Sequence, residues 1–205
     1  MSSTGRGPRP PAGRPGGWRW AALLPAALGL LAAGCATVAA VGPSPPLDPG
    51  ARWAVVPFAN QSETPEAGER AAAVAAARLR LKGVAARLYR PAPPEPGALP
   101  PLDGARGRRE GLAWARREGY RYVLTGSVQE WAYKGGLEGE PVVGLTLELL
   151  ELKASPGAGG GAEGEARVLW TATGARTGWG REGLAGNAQR LLARLLEGLR
   201  LGPGG

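Results

Sequence analysis

Thiols, imidazoles and carboxylates do most protein chemistry, and this sequence offers an unusual set of them. Its 205 residues hold one cysteine, Cys35, and no histidine. A disulfide within the chain needs a second cysteine. Zinc is held mainly by Cys and His, so with one thiol and otherwise only carboxylates no metal site is expected. A cysteine nucleophile ordinarily has a histidine base beside it. A free thiol, an intermolecular disulfide or a covalent modification remains for Cys35. Without histidine, proton transfer near neutral pH falls to a strongly shifted carboxylate or lysine. That argues against an enzyme, and no Ser-His-Asp set or lysine-bearing phosphate loop is present.

Three other groupings have the residue types for chemistry. GWGREG (178–183) matches G-x-G-x-x-G, which can cradle a pyrophosphate at a helix start. That fingerprint opens a βαβ unit and needs an acidic residue about 20 positions on, after a second strand. Here it precedes the last predicted helix, so no dinucleotide cofactor is expected. Carboxylates cluster at Glu63, Glu66 and Glu69, at Glu138 and Glu140, and at Glu148 and Glu151. A glycosidase sets two carboxylates across a cleft, roughly 5–9 Å apart, which spacing in sequence does not establish. A glycan-modifying enzyme is therefore the remote reading. Finally, Trp179 sits between Arg176 and Arg181, flanked by Gly178 and Gly180. Such a Trp is hard to bury, and Trp beside Arg suits either a bilayer interface or a subunit contact.

The residues before Cys35 explain the cysteine. Residues 1–20 carry Arg6, Arg9, Arg14 and Arg19 and no acid. AALLPAALGLL (21–31) is uncharged, then Ala32, Ala33 and Gly34 lead into Cys35. A positive region, an apolar stretch and small residues are the parts of a signal peptide in order. The apolar stretch is too short for a membrane span of about 20 residues. The junction resembles the bacterial lipobox, where a peptidase cuts before a cysteine that is then acylated, palmitate included. Leu31 lies one place further from the cut than is usual. Cys35 is thus expected to carry a covalent lipid, and several acyl chains at about 0.8 kcal/mol per buried CH₂ anchor stably. No other cofactor is expected. Formal charge is +8, from 25 basic and 17 acidic residues. Loss of the four leader arginines leaves twenty-one against seventeen, or +4. Nucleic acid is a poor partner for such a balance on an exported chain.

Four segments are expected: a cleaved signal peptide (1–34), the acylated cysteine with a Pro-rich tether (35–50), a globular domain (51–202) and a tail (203–205). Pro43, Pro45, Pro46 and Pro49 stiffen the tether, whose fifteen residues reach about 45 Å. RWAVVPF (52–58) reads as a buried strand. A helix follows with Thr64 as N-cap and Pro65 at its first position. Its expected inner face is Ala67, Ala71, Val74, Ala77 and Leu81, and Gly83 stops it. VAARLYR (84–90) alternates as a strand, which makes the first parallel unit. Asp103 is the expected cap of a second helix, 104–118, weakened by Gly104, Gly107 and Gly111 and rich in surface arginine. Residues 120–133 form a long strand, with Val123 and Leu124 buried and Gly126 at a bulge or close backbone approach. Residues 142–153 return as a strand whose alternation breaks at Leu150 and Leu152, suggesting a bulge. Trp131 is expected in the core. Residues 166–175 form a further strand, and the last helix, 182–200, aligns Leu184, Ala188, Leu191, Leu195 and Leu199. The order β-α-β-α-β-β-β-α predicts one α/β domain with a mixed sheet, parallel first and then an antiparallel meander.

AVVPFANQSETPEAG, EGYRYVLTGSVQEW and VGLTLELLEL followed by VLWTATGARTGW resemble segments of the small outer-membrane lipoproteins of the CsgG, LpoB and PelC type, over about 52–200. The curli channel of that group is longer and carries extra amphipathic hairpins. This chain has no spare pair of lipid-facing strands of about 10 residues. The activator of penicillin-binding proteins has a long tether. Size, short tether and the Trp-Arg segment resemble the Pel exopolysaccharide lipoprotein best. That resemblance implies a homo-oligomeric ring at the periplasmic face of the outer membrane, which guides a cationic polysaccharide toward an export barrel. It implies that Trp179, Arg176 and Arg181 face the membrane or a neighbouring subunit. Glu138 and Glu140, at an exposed turn, are the candidates for guiding the polymer by long-range attraction. Activation of a peptidoglycan synthase, or another CsgG-like secretion or surface role, are the alternative functions. Ala36 stands where, in some bacteria, an aspartate retains lipoproteins at the inner membrane, so the outer membrane is favoured.

Overall fold

The long strands are encoded by runs of Val, Leu, Thr and Trp with period two, and they build the frame on which everything else sits. The computed structural model describes residue 7 and residues 37–92, 104–135, 139–153, 166–179 and 181–202. The expectations for residues 1–34, Cys35, Asp103, Glu138 and the tail fall outside these residues. All described residues but Gly7 belong to one compact unit, Cys35–Gly205. Its elements are β1 (Thr37–Val41), β2 (Trp53–Val55), β3 (Ala59–Asn60), α1 (Ala67–Leu81), β4 (Arg87–Leu88), α2 (Arg106–Arg117), β5 (Tyr122–Lys134), β6 (Glu140–Leu152), β7 (Ala166–Thr177) and α3 (Leu184–Leu196). The sheet runs β1-β7-β6-β5-β2-β4, with β3 also on β5. Pairs among β2, β3, β4 and β5 are parallel, and β5-β6-β7 is the antiparallel meander. The expected mixed α/β domain is therefore the observed one, with β1 and β3 added.

Strand β1 corrects the tether. Thr37–Val41 pairs antiparallel with β7, and Leu47, further along the same segment, is buried and bridges Leu201. The extended backbone expected from the sequence is present, but it is spent on a sheet edge and a core contact. The 45 Å reach does not apply.

Helices α1 and α3 lie on one face of the sheet over Trp53, Leu124, Leu145, Leu147 and Leu149, while α2 covers Ala54, Val56, Val123, Leu150 and Leu152 on the other. Because the β6 residues of both parities are covered there, Leu150 and Leu152 are buried without any break in their own alternation. The register does shift at Leu149/Leu150, but the extra residue is Leu169, on β7. A second shift in β5, between Val128 and Glu130, leaves Gln129 as the extra residue.

Helix α1 is turned from its expected setting. Its buried side is Ala67, Gly68, Ala71, Ala72, Ala75, Ala76 and Leu79, whereas Leu81 is 78% exposed. Gly68 fixes the rotation: a Cβ there would stand 2.0 Å from the Phe58 carbonyl oxygen, and the Phe58 N–H donates to the Gly68 carbonyl at 3.2 Å. Thr64 does not cap the helix, since its hydroxyl donates to the Trp131 carbonyl. The glycines read as weakening α2 have a packing use. Gly107 lies against Pro57, and a Cβ on Gly111 would meet Val56 at 2.7 Å. Gly126 is the expected close approach: a Cβ there would stand 1.9 Å from the Thr146 carbonyl oxygen.

Candidate functional site

Where β7 ends, the chain turns into α3 through the segment that holds Trp179. Two forces shape this turn. Gly178 and Gly183 leave room for a tight reversal, in which the Glu182 N–H donates to the Trp179 carbonyl at 2.8 Å. Asn187, one turn into α3, then ties the reversal down. It is fully buried. Its Nδ2 donates to the carbonyls of Pro141 (2.8 Å) and Arg176 (2.9 Å), and its Oδ1 accepts from Arg176 Nη1. Arg176 Nη1 also donates to Glu182 Oε2 at 3.0 Å, and Arg190 reaches Glu182 Oε1 at 2.9 Å. Both polar atoms of the Asn187 amide and both Glu182 oxygens are thus bonded, as burial requires.

The cluster decides what its members do. Arg176, expected to face a membrane or a neighbour, is 9% exposed. Its Nη1 pairs inward because Glu182 and Asn187 are there to meet it. Trp179 is 59% exposed and Arg181 is exposed, so the other two members stand at the surface. The turn also answers the glycine motif. Glu182 Oε2 fills the space a Cβ on Gly178 would take, at 2.3 Å, and a carboxylate so placed occupies the arginines an anionic phosphate would need.

The neighbouring structure belongs to the same end of the sheet. Tyr133, near the end of β5, accepts at its hydroxyl from the Leu184 N–H at 3.3 Å. Glu140, at the start of β6, is exposed and is the register partner of Lys134, whose Nζ pairs with Glu130 at 2.7 Å. Thr37, the first residue of β1, is the register partner of Arg176. A depression of about 330 Å³ between β1 and α3 is lined by Thr37, Ala39, Arg176, Arg190 and Arg194.

Three of the remaining carboxylates pair with arginines. Glu148 pairs with Arg108, Glu151 with Arg121 and Arg167, and Glu66 with Arg70. Glu148 and Glu151, three apart on a strand, point to opposite faces, so they do not flank one cleft. Glu69 has its carboxyl raised above the ordinary value, by burial first and by the charge of Glu66 second. Trp131 is in the core, as expected. Asn187, Glu182 and Arg190 were not legible as a unit. The available signal was an Asn on the apolar stripe of the last helix, at a position otherwise filled by Ala and Leu.

No helix among the described residues is long and apolar enough to cross a membrane. No family model and no curated protein matches the chain. Among solved structures, a PelC dodecamer from Paraburkholderia phytofirmans is 40% identical, with a TM-score of 0.60, over 81% of this chain and 99% of that one. A lipoprotein from Neisseria meningitidis (16% identity, TM-score 0.40, 72% and 93% covered) and the C-terminal domain of LpoB from Salmonella enterica (18%, 0.35, 63% and 84%) are more distant.

Proposed function

The chain belongs to the PelC family, and on that premise we propose that it is a lipid-anchored, homo-oligomeric accessory protein of exopolysaccharide export. It acts without enzymatic chemistry at the periplasmic face of the outer membrane. The observation that carries the reading is a convergence at one sheet end. The strand that follows Cys35 begins opposite Arg176, and three residues beyond Arg176 stands the exposed Trp179. An acyl chain on Cys35 and an indole at Trp179 then enter the same bilayer surface. Trp with its amphipathic ring favours that depth, and Arg181 beside it suits anionic headgroups.

The oligomer rests on the relative, which is a dodecamer. A ring of identical subunits multiplies weak contacts with a polymer by effective concentration. Glu140 is exposed at the membrane-facing hairpin, and with Glu138 it would repeat around the ring and attract a cationic polysaccharide at the exit toward an export barrel.

Membrane fractionation of the full-length protein tests this. Cys35→Ser is expected to release the protein from the membrane fraction. Trp179→Ala is expected to weaken liposome association of the lipidated protein or to break its oligomer. If neither variant changes either property, the reading fails. Polymer export unchanged by Glu138→Gln with Glu140→Gln would remove the guiding role alone.

A further inference from the structure

Strand β1 closes one side of the sheet and leaves its own outer edge open. Gly42, just past it, donates its N–H to the Thr171 carbonyl at 2.9 Å. Bonding alternates along an antiparallel pair, so Val38 and Ala40 also turn their main-chain groups toward β7. Thr37, Ala39 and Val41 turn theirs away, and β1 is the last strand of the sheet on that side. Every residue of β1 is exposed, Val38 to 72%. An edge strand is ordinarily guarded by charge, proline or a bulge. TVAAV has no charge and no proline, and its pairing with β7 runs without a register shift. An edge so unguarded is a template for another chain.

Arginines flank this edge. Thr37 and Ala39 share the depression with Arg190 and Arg194 of α3. Nη1 of Arg190 meets Glu182 and Nη1 of Arg194 meets Glu197, yet the two arginine side chains are 55% and 67% exposed. A guanidinium has five N–H donors, so each keeps donors for a second carboxylate. This flank therefore offers outward amides and exposed guanidinia.

Register finds the surface opposite it. Thr37, Arg176, Val143 and Trp131 stand in one row across β1, β7, β6 and β5, and the Trp131 carbonyl accepts from Thr64 beyond β5. The row from Ala39 runs through Gly174, Leu145 and Val128 to Asn60 of β3. Residues 60–66 thus lie level with β1 on the other side of the sheet, about 20 Å away at 4.8 Å per strand. They carry Glu63 and Glu66, both exposed, and no cation. Glu63 has no partner among the described residues, and the Glu66 carboxylate reaches Arg70 at 3.5 Å. Ionised carboxylates only accept hydrogen bonds.

We propose that copies of this chain meet head to tail, the outer edge of β1 with Arg190 and Arg194 of one copy against Glu63 and Glu66 of the next. The contact rests on the oligomeric, membrane-bound reading above. A closed ring lying on a membrane holds every Trp179 at one height, so neighbours meet through surfaces that are level and on opposite flanks. These two flanks are level, opposite in charge and complementary in hydrogen bonding, donors against acceptors. They are also different surfaces, as a ring needs; a surface that paired with itself would stop at two copies.

The test uses the full-length lipidated protein in detergent, with native mass and amide hydrogen exchange read on the same sample. In the assembled wild type the Ala39 and Val41 amides are expected to exchange as slowly as that of Ala40, which is bonded to β7 in any state. Ala39→Pro removes an outward N–H and no bond to β7, and it should raise the concentration needed for assembly by about tenfold. Glu63→Arg and Arg194→Glu should each do the same. The two together should regain the assembled mass, a recovery that two merely structural losses would not give. Glu66→Gly keeps the test clear of misfolding. Glu66 has φ 59°, where glycine sits without strain, so the protomer should keep its thermal midpoint while assembly weakens. An assembled wild type whose Ala39 and Val41 amides exchange freely, or no recovery on combining the two charge reversals, would overturn the contact and leave the ring standing. Assembly untouched by all of these variants would give the edge of β1 to a different protein and overturn the contact. A wild type that is monomeric at every concentration would overturn the ring and the contact together.

Discussion

Arg176, near the end of β7, and Arg116, in the last turn of α2, differ in one respect in their surroundings. Arg176 has Asn187, Glu182 and, through Glu182, Arg190 arranged about it. Arg116 has a buried Nε with nothing to bond and a cavity beside it. A buried guanidinium bonded within the fold holds structure, here the turn that presents Trp179. One that is left partly unmet contributes less, because its buried donor has lost water without gaining a bond. Arginine content alone does not separate the two, because both ends look equally basic in the sequence.

Substitutions at the two ends should therefore behave oppositely. The largest effect belongs to Asn187→Leu. It leaves the Arg176 guanidinium and two carbonyls short of partners inside the protein, at a cost of about 3 kcal/mol or more. Urea unfolding measures it, and a loss under about 1 kcal/mol would erase the distinction. Trp179→Ala should hardly move the unfolding midpoint, within about 0.5 kcal/mol for an exposed side chain, while liposome partitioning falls by roughly the tenfold that 1.4 kcal/mol represents. Arg116→Gln should cost no more than about 1 kcal/mol, since the Nε donor it removes is unbonded; a melt as damaging as that of Asn187→Leu would make the two ends alike. The smallest effect is at Glu69, which belongs to neither end. Its folded-state carboxyl is raised by burial and by Glu66, so between its unfolded and folded values the native state holds the extra proton. Stability then falls as pH rises through the folded value. Glu69→Gln should raise the thermal midpoint slightly at pH 7 and leave it unchanged at pH 3.

The same contrast explains what was legible in the sequence. Periodicity reported the long strands because β5, β6 and β7 alternate against one large apolar layer, and the last helix because its leucines recur at helical spacing. It misplaced the face of α1, where an Ala-rich helix has little amphipathic signal and the contact of Gly68 with Phe58 sets the rotation. It read 36–50 as tether because proline marks extended chain and says nothing of what that chain pairs with. TVAAV carries no charge and alternates too briefly to announce an edge strand, and its partner β7 lies well over a hundred residues away. At the candidate site, the exposure of Trp179 was legible from its glycine neighbours alone. The burial of Arg176 was not, because it depends on Asn187 and Glu182, which reach it only after β7 turns into α3.

The central claim is that this chain works as a membrane-bound assembly of identical subunits, and native mass spectrometry of the full-length lipidated protein in detergent tests it most directly. The expected result is one closed high-order species whose mass does not change on dilution, as a ring with no free ends requires. A strict monomer at every concentration, with the membrane mimetic present, would contradict it.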